Sequence, residues 1–248
     1  MSAGPRTISR PIDDSVSDYP VSDGQPMAET PTHRRNMTDT IATLERYYAD
    51  EVKVYISGNM FIYYAKNDRR RHVSPDTFVV FGVPREERDA YFTWLEPKPS
   101  LDLAIEFTSR STQHEDIEDK FHLYQNVIGV TEYLMFDPYE DYLRPPQQLY
   151  RLVRGRYRLV RPVAGRLPSK VLGLHFDRDG RMLRLYDPTT KGWLPTPGEL
   201  VAEHDDTLAR LADVEDENDR LRRELNRLKK SAASKRGNGT KKNGRKKR

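Results

Sequence analysis

The sequence predicts an α/β fold of the α+β kind, a mixed β-sheet flanked by helices. Three observations lead there. A segment with helical periodicity comes first and is followed by several short strand-like runs. A second helical segment then precedes another strand, and further hairpins follow it. A heptad-patterned segment and a basic end lie beyond this alternation. The organisation read from these signals is a disordered leader at 1–18, a globular body at 19–200, a coiled-coil helix at 201–229 and a disordered basic tail at 230–248.

The elements follow in order. Residues 36–50, NMTDTIATLERYYAD, place Met37, Ile41, Leu44, Tyr47 and Tyr48 at helical spacing. Val52–Ile56 and Met60–Tyr64 read as strands around the turn Ser57-Gly58-Asn59. Thr77–Val83 and Leu101–Thr108 read as the next two strands. Asp116–Val127 reads as a helix with Ile117, Lys120, Phe121 and Tyr124 on one side. Thr131–Phe136 is a strand closed by Asp137-Pro138. Hairpins are expected at Leu149–Val160, turning at Arg154-Gly155, and at Leu183–Leu194. There is no internal repeat.

Hydrophobic residues make up 36% and charged residues 32% of the 248, the balance of a soluble chain whose core does not take up every residue. No apolar run approaches the length of a bilayer span, and no membrane partner is expected. The opening MSAGPRTISRPIDDSVSDYP has no apolar signal region, so a cytoplasmic location is expected. With no cysteine, disulfides, thiolate metal sites and cysteine nucleophiles are excluded. The six histidines show no zinc-ligand spacing. Any metal would be held by carboxylates, carbonyls or histidines, and carboxylate-rich sites suit Mg²⁺ or Mn²⁺. Residues 229–248 hold ten Lys and Arg and no acid, so of the net charge of +4 the preceding 228 residues carry −6. A tail of this kind favours polyanions, nucleic acid above all, and also serves as a solubilising end.

The chemistry-bearing pattern runs across two strands and the helix after them. Asp76 follows Pro75 at the start of TFVVFGV, and Glu106 lies inside LDLAIEFT. On period-2 alternation Leu101, Leu103, Ile105 and Phe107 form one face, and Asp102, Ala104, Glu106 and Thr108 the other. Acids in a strand of buried character need a compensating positive group, and a metal ion is one such group. Two carboxylates at neighbouring strand ends can grip one Mg²⁺, which keeps water on its remaining positions. Lys120 shares a helix face with Asp116, four residues earlier. If that helix packs back over the strand, the ammonium reaches the site, where it can orient water and stabilise charge on a phosphate.

These residues resemble a known family. SPDTFVV, then LDLAIEFTSRST, then DIEDKFHLYQNVIGVTEYLMFDP is similar to the pattern of the Uma-two family of restriction-endonuclease-like proteins, within the PD-(D/E)XK nuclease superfamily. Asp76 falls on the first acid and Glu106 on the acid of the second strand, while Thr108 stands where many superfamily members carry lysine. The lysine falls instead on Lys120 in the following helix. Asp116, Tyr124, Gly129, Val130, Glu132, Tyr133, Asp137 and Pro138 also match, whereas Leu101 and Leu134 depart from the usual proline and tryptophan. The similarity extends over about residues 19–197. It implies a restriction-endonuclease-like fold, a catalytic set of Asp76, Glu106 and Lys120, and metal ligation by Asp76 and Glu106. It implies no small-molecule cofactor.

Each residue has a structural alternative. Asp76 can cap a turn after Pro75. Glu106 can pair with a core arginine or lysine, and Lys120 can be a solvent-facing helix lysine. Asp102 can be a further acid near the metal or the start of its strand, and Asp116 can begin the helix. Superfamily members often add an acid from an N-terminal helix; Glu29, beside His33, and Glu45 are the candidates.

Leu211, Val214, Asn218, Leu221, Leu225 and Leu228 step 3-4-3-4-3, an a/d seam with Asn218 at an a position. This predicts a parallel homodimer through residues 207–228, with an amphipathic helix lying on the body as the alternative. The expected function is therefore a metal-dependent endonuclease acting on DNA. The competing readings are a catalytically silent nucleic-acid-binding protein on the same fold, and an interaction module whose working part is the coiled coil.

Overall fold

The computed structural model describes residues 16–22, 30–108 and 115–239, the last stretch with side chains from 117 to 230. The chain divides into two compact units after Thr196.

The first unit is built on a six-stranded mixed sheet. Its strands are β1 (Val54–Ser57), β4 (Thr77–Phe81), β6 (Leu103–Phe107), β7 (Glu132–Phe136), β8 (Gln147–Val153) and β9 (Arg156–Leu159), side by side in that order. All neighbours are antiparallel except β6 and β7, which run parallel. Parallel neighbours need a crossover, and here it contains helix α2 at residues 115–128. The expected mixed sheet flanked by helices is what forms.

Both faces of the sheet are covered, which is why β6 and β7 are buried along their whole lengths. On one face helix α1 (Pro31–Tyr47) lays Met37, Ile41 and Leu44 on Val79, Leu103, Ile105 and Phe107. On the other, Tyr124 and Ile128 of α2 pack with Phe78, Ala104 and Tyr133. Leu101 packs in this second cluster and not, as alternation along the strand implied, with Leu103 and Ile105. It precedes the strand, so the period-2 rule does not extend to it.

A four-stranded sheet of β10 (Leu167–Pro168), β11 (His175–Asp179), β12 (Met182–Asp187) and β13 (Gly192–Trp193) contributes Leu167, Phe176, Leu183 and Leu185 to the α1 face. A small sheet joins β3 (His72–Val73), β2 (Ile62–Tyr63) and β5 (Tyr91–Phe92).

Several boundaries differ from expectation for identifiable reasons. Helix α1 starts at Pro31 and not at Asn36, because the Thr30 hydroxyl caps it by accepting from the His33 N–H at 3.1 Å and Pro31 occupies the first turn. His33 therefore lies in the helix and does not precede it. The two strands around Ser57-Gly58-Asn59 do not pair; β1 joins the main sheet and β2 the small one. Tyr19 and the partly buried Val16 pack on Tyr63 and Ala90, so ordered packing begins ahead of residue 19. Helix α2 is wound with i→i+5 turns over Glu115–Lys120 and Tyr124–Ile128, around a short α turn at Phe121–Leu123. It stops at Gly129, whose φ of 73° is the left-handed cap conformation that favours glycine. Ile117, placed on the inner face by periodicity, is exposed instead.

The second unit is helix α3, Pro197–Gly239. It starts before the expected residue 201 and continues beyond 229. Among the described residues, no helix is long and apolar enough to cross a membrane.

Candidate active site

Glu106 is the centre of the site. It lies inside β6, in the middle of the sheet, and is 1% exposed. An ionised carboxylate at such depth requires strong partners. Two come from α2, one turn apart. The Lys120 ammonium donates to Glu106 Oε2 at 2.9 Å, and the Tyr124 hydroxyl donates to Oε1 at 2.7 Å. Lys120 is itself only 12% exposed, so it is not a solvent-facing helix lysine. Burial first, and then the Glu106 carboxylate, push the Tyr124 phenol well above the usual tyrosine range. The hydroxyl therefore keeps its proton and acts as donor.

The crossover topology explains why these residues meet. Helix α2 lies over the face of β6 that carries Ala104 and Glu106 because it must carry the chain from β6 to its parallel neighbour β7. Thr108, where a lysine would stand in the two-residue spacing, is buried and donates its hydroxyl to the Phe136 carbonyl at 3.3 Å.

Asp76 arrives from the other side. The antiparallel register Thr77↔Ile105 places Asp76, one residue further out on β4, opposite Glu106. The Asp76 carboxylate accepts the Phe107 N–H at Oδ2, at 2.7 Å. Its Oδ1 lies 3.2 Å from His33 Nε2, in a pair whose side chains are 17% and 13% exposed. The His33 ring also meets Phe107 edge-on. The first turn of α1 thus presents a histidine to this site. Glu45 is exposed and twelve residues along the helix from His33, roughly 18 Å at about 1.5 Å per residue. Glu29 and residues 109–114 lie outside the described residues, as does the side chain of Asp116.

The other matched acids have structural employment. Asp102, immediately ahead of β6, accepts the Phe81 N–H at 2.8 Å and pairs with Lys98. Glu132, fully buried, accepts from Arg151 Nε at 2.7 Å, Ser169 Oγ at 2.5 Å and the Lys170 N–H at 3.0 Å. Asp137 closes a turn by accepting the N–H groups of Tyr139, Tyr142 and Leu143. Sequence reasoning overlooked Tyr124 as a site residue, although its spacing of four from Lys120 was a usable signal.

The donor set fits a hard divalent cation. Asp76 and Glu106 bring two carboxylates to neighbouring strand positions, and a carboxylate oxygen that accepts one hydrogen bond retains acceptor capacity. Among the described residues no group of three His, Asp or Glu side chains forms a ready cage. Two carboxylates completed by water and substrate phosphate is a common arrangement for Mg²⁺.

Removal of the phenol hydroxyl tests how far Tyr124 fixes the site. Tyr124→Phe leaves Glu106 Oε1 without its buried donor, an expected loss of about 1–3 kcal/mol of stability in denaturant titration. Any cleavage activity should fall roughly 10–100-fold, as is typical when an outer partner of a metal-site group is removed.

One solved structure, titled as "a putative nuclease belonging to DUF820" from Anabaena variabilis ATCC 29413, is similar over 60% of this chain and 76% of that one, at 14% identity and a TM-score of 0.44. No curated protein matches. The model of the Uma2 family, described as "Putative restriction endonuclease", matches residues 11–199, from ahead of α1 through β13 and into α3. Asp76, Glu106 and Lys120 all fall within that span, and the chain belongs to the Uma2 family.

Proposed function

We propose that this protein is a metal-dependent endonuclease that hydrolyses phosphodiester bonds in DNA, with Asp76, Glu106 and Lys120 as its catalytic residues. The observation that carries this is Glu106, buried in a central strand, facing Asp76 and held by the Lys120 ammonium. Glu132, by contrast, is buried among structural donors with no second acid opposite it in the register. The pairing of two acids with one lysine is instead suited to gripping a cation and a phosphate together.

Asp76 and Glu106 would hold Mg²⁺ or Mn²⁺, which supplies a more acidic water and neutralises phosphate oxygens. The Lys120 ammonium, anchored on Glu106 Oε2, would stand by the attacking water and the charge that builds on the phosphate. The Tyr124 hydroxyl holds the Glu106 carboxylate in one orientation. The Phe107 N–H holds that of Asp76, with His33 Nε2 lying 3.2 Å away. No covalent enzyme intermediate is needed.

The test is incubation of the protein with supercoiled and single-stranded DNA in Mg²⁺, Mn²⁺ or EDTA, beside Lys120→Ala. Cleavage that needs metal and Lys120 supports the proposal. Retention of DNA without cleavage favours the silent binding protein.

The proposal includes a parallel homodimer through residues 207–228. Leu211, Val214, Leu221, Leu225 and Leu228 are 51–62% exposed along a helix whose described side chains from 201 to 230 are all exposed. An apolar seam of this kind is stabilised by a second copy, and a buried Asn218 pair would select one register. Two sites in one particle suit cutting both strands of a duplex. Leu221→Arg should give a monomer by sedimentation equilibrium at concentrations where the parent is dimeric. A monomeric parent would remove the dimer from the proposal.

A further inference from the structure

Helix α1 and the β11–β12 turn line a groove of about 570 Å³. Three guanidinium groups line it: Arg34 and Arg35 from the first turns of α1, and Arg181 from the turn. Asp39 is the single acid among its lining residues. This concentration of positive charge stands in a chain whose residues before the tail carry −6 overall. Among the described residues, the Arg34 and Arg35 side chains are in no ion pair, and Arg181 stacks on the Tyr139 ring at 4.6 Å.

The scaffold holding them is rigid. Asn36, one residue past Arg35, is 1% exposed. Its amide donates to the Arg181 carbonyl at 2.9 Å and accepts the Leu183 N–H at 2.7 Å. One buried side chain therefore fixes the turn to the helix and sets Arg181 across from Arg34 and Arg35. The groove and the carboxylate site share the N-terminal part of α1: Arg34 lines the groove, and His33 of the same turn lies 3.2 Å from Asp76.

We propose that this groove is a phosphate subsite, in which Arg34, Arg35 and Arg181 seat the nucleic-acid backbone next to the phosphodiester presented to Asp76 and Glu106. Guanidinium groups match phosphate oxygens with paired donors. Three of them on a fixed frame would set the register of the strand without reading its bases. The subsite rests on the nuclease reading above, but its test is independent of cleavage.

The full chain is titrated in EDTA against a fluorescein-labelled DNA duplex across about 50–200 mM salt, the range over which phosphate contacts dominate the affinity change. Arg34→Ala, Arg35→Ala and Arg181→Ala, singly and combined, are compared with the parent. Arg156→Ala/Arg158→Ala, which removes two exposed charges from the edge strand β9, serves as the control for general charge loss. The basic tail contributes alike to every protein. Each groove substitution should lower the slope of log K against log salt by about 0.9, and the triple variant by about 2.7. The triple variant should also bind at least roughly tenfold more weakly. A triple variant whose slope and affinity match those of the β9 control overturns the subsite. Cleavage is scored separately in Mg²⁺, so a protein that binds through the groove and cuts nothing refutes the nuclease reading alone.

Discussion

Glu106→Gln is expected to abolish metal-dependent DNA cleavage, a loss of about 10³-fold or more in kcat, in a protein that stays folded. The amide preserves the shape of the side chain; its oxygen can accept from Lys120 while its NH₂ donates to the Tyr124 hydroxyl oxygen, the reverse of the native bond. It removes the charge that a divalent cation and Lys120 both require. Loss of several kcal/mol of charge stabilisation at the reacting phosphate corresponds to this size of effect, since about 1.4 kcal/mol is tenfold in rate. Folding should suffer less, on the order of 2 kcal/mol, because Lys120 keeps a hydrogen-bond acceptor while losing its counter-charge. Cleavage and denaturant unfolding measured on the same preparation separate the two effects. Full activity in the variant would remove Glu106 from the mechanism. Lys120→Ala should be the less stable of the two, because it leaves a carboxylate that is 1% exposed without its cation.

The second large effect is expected at a residue that carries no side chain, Gly58. Gly58 follows β1 and presses on the segment that presents Asp76. A Cβ built there would stand 2.0 Å from the Asp76 carbonyl oxygen and 2.9 Å from Ile41 Cδ1. The first contact is with backbone and cannot be relieved by a rotamer change. Gly58→Ala must therefore displace either the turn or the Asp76 strand. The turn is itself tied down, because the Asn59 N–H donates to the Pro75 carbonyl at 2.9 Å. The expected cost is roughly 1–3 kcal/mol in stability. Misplacement of Asp76 by about 1 Å should lower kcat/KM about 10²-fold. Thermal unfolding and cleavage kinetics check this together. A variant with the parent's melting temperature and activity would show that the contact does not position Asp76.

Much of this architecture is legible in one dimension. Element type follows from local chemistry: β-branched runs between turn residues make the strands, and apolar residues at helical spacing make α1 and α2. The exposed seam from Leu211 to Leu228 is likewise a matter of spacing along one helix. Asp76, Glu106 and Lys120 could be named as a set because a family pattern orders them along the chain.

Which neighbours they have depends on contacts between distant segments. Glu106 and Glu132 are both buried acids inside apolar strands, and alternation cannot tell them apart. Glu132 meets Arg151, Ser169 and the Lys170 N–H and is consumed as a structural link, whereas Glu106 faces Asp76 and takes Lys120 and Tyr124 from the crossover helix. His33 acquires a place beside Asp76 only because a Thr30 cap and Pro31 start α1 early enough to bring it there. The arginine groove joins residues about 147 positions apart through the Asn36 amide, a distance over which no local periodicity carries information. Secondary structure responds to neighbours within a few residues, so the sequence by itself determined which segments are helix and strand and which residues were candidates. Register, crossover and side-chain pairing depend on which surfaces are buried together, and only the tertiary structure decided which candidates meet.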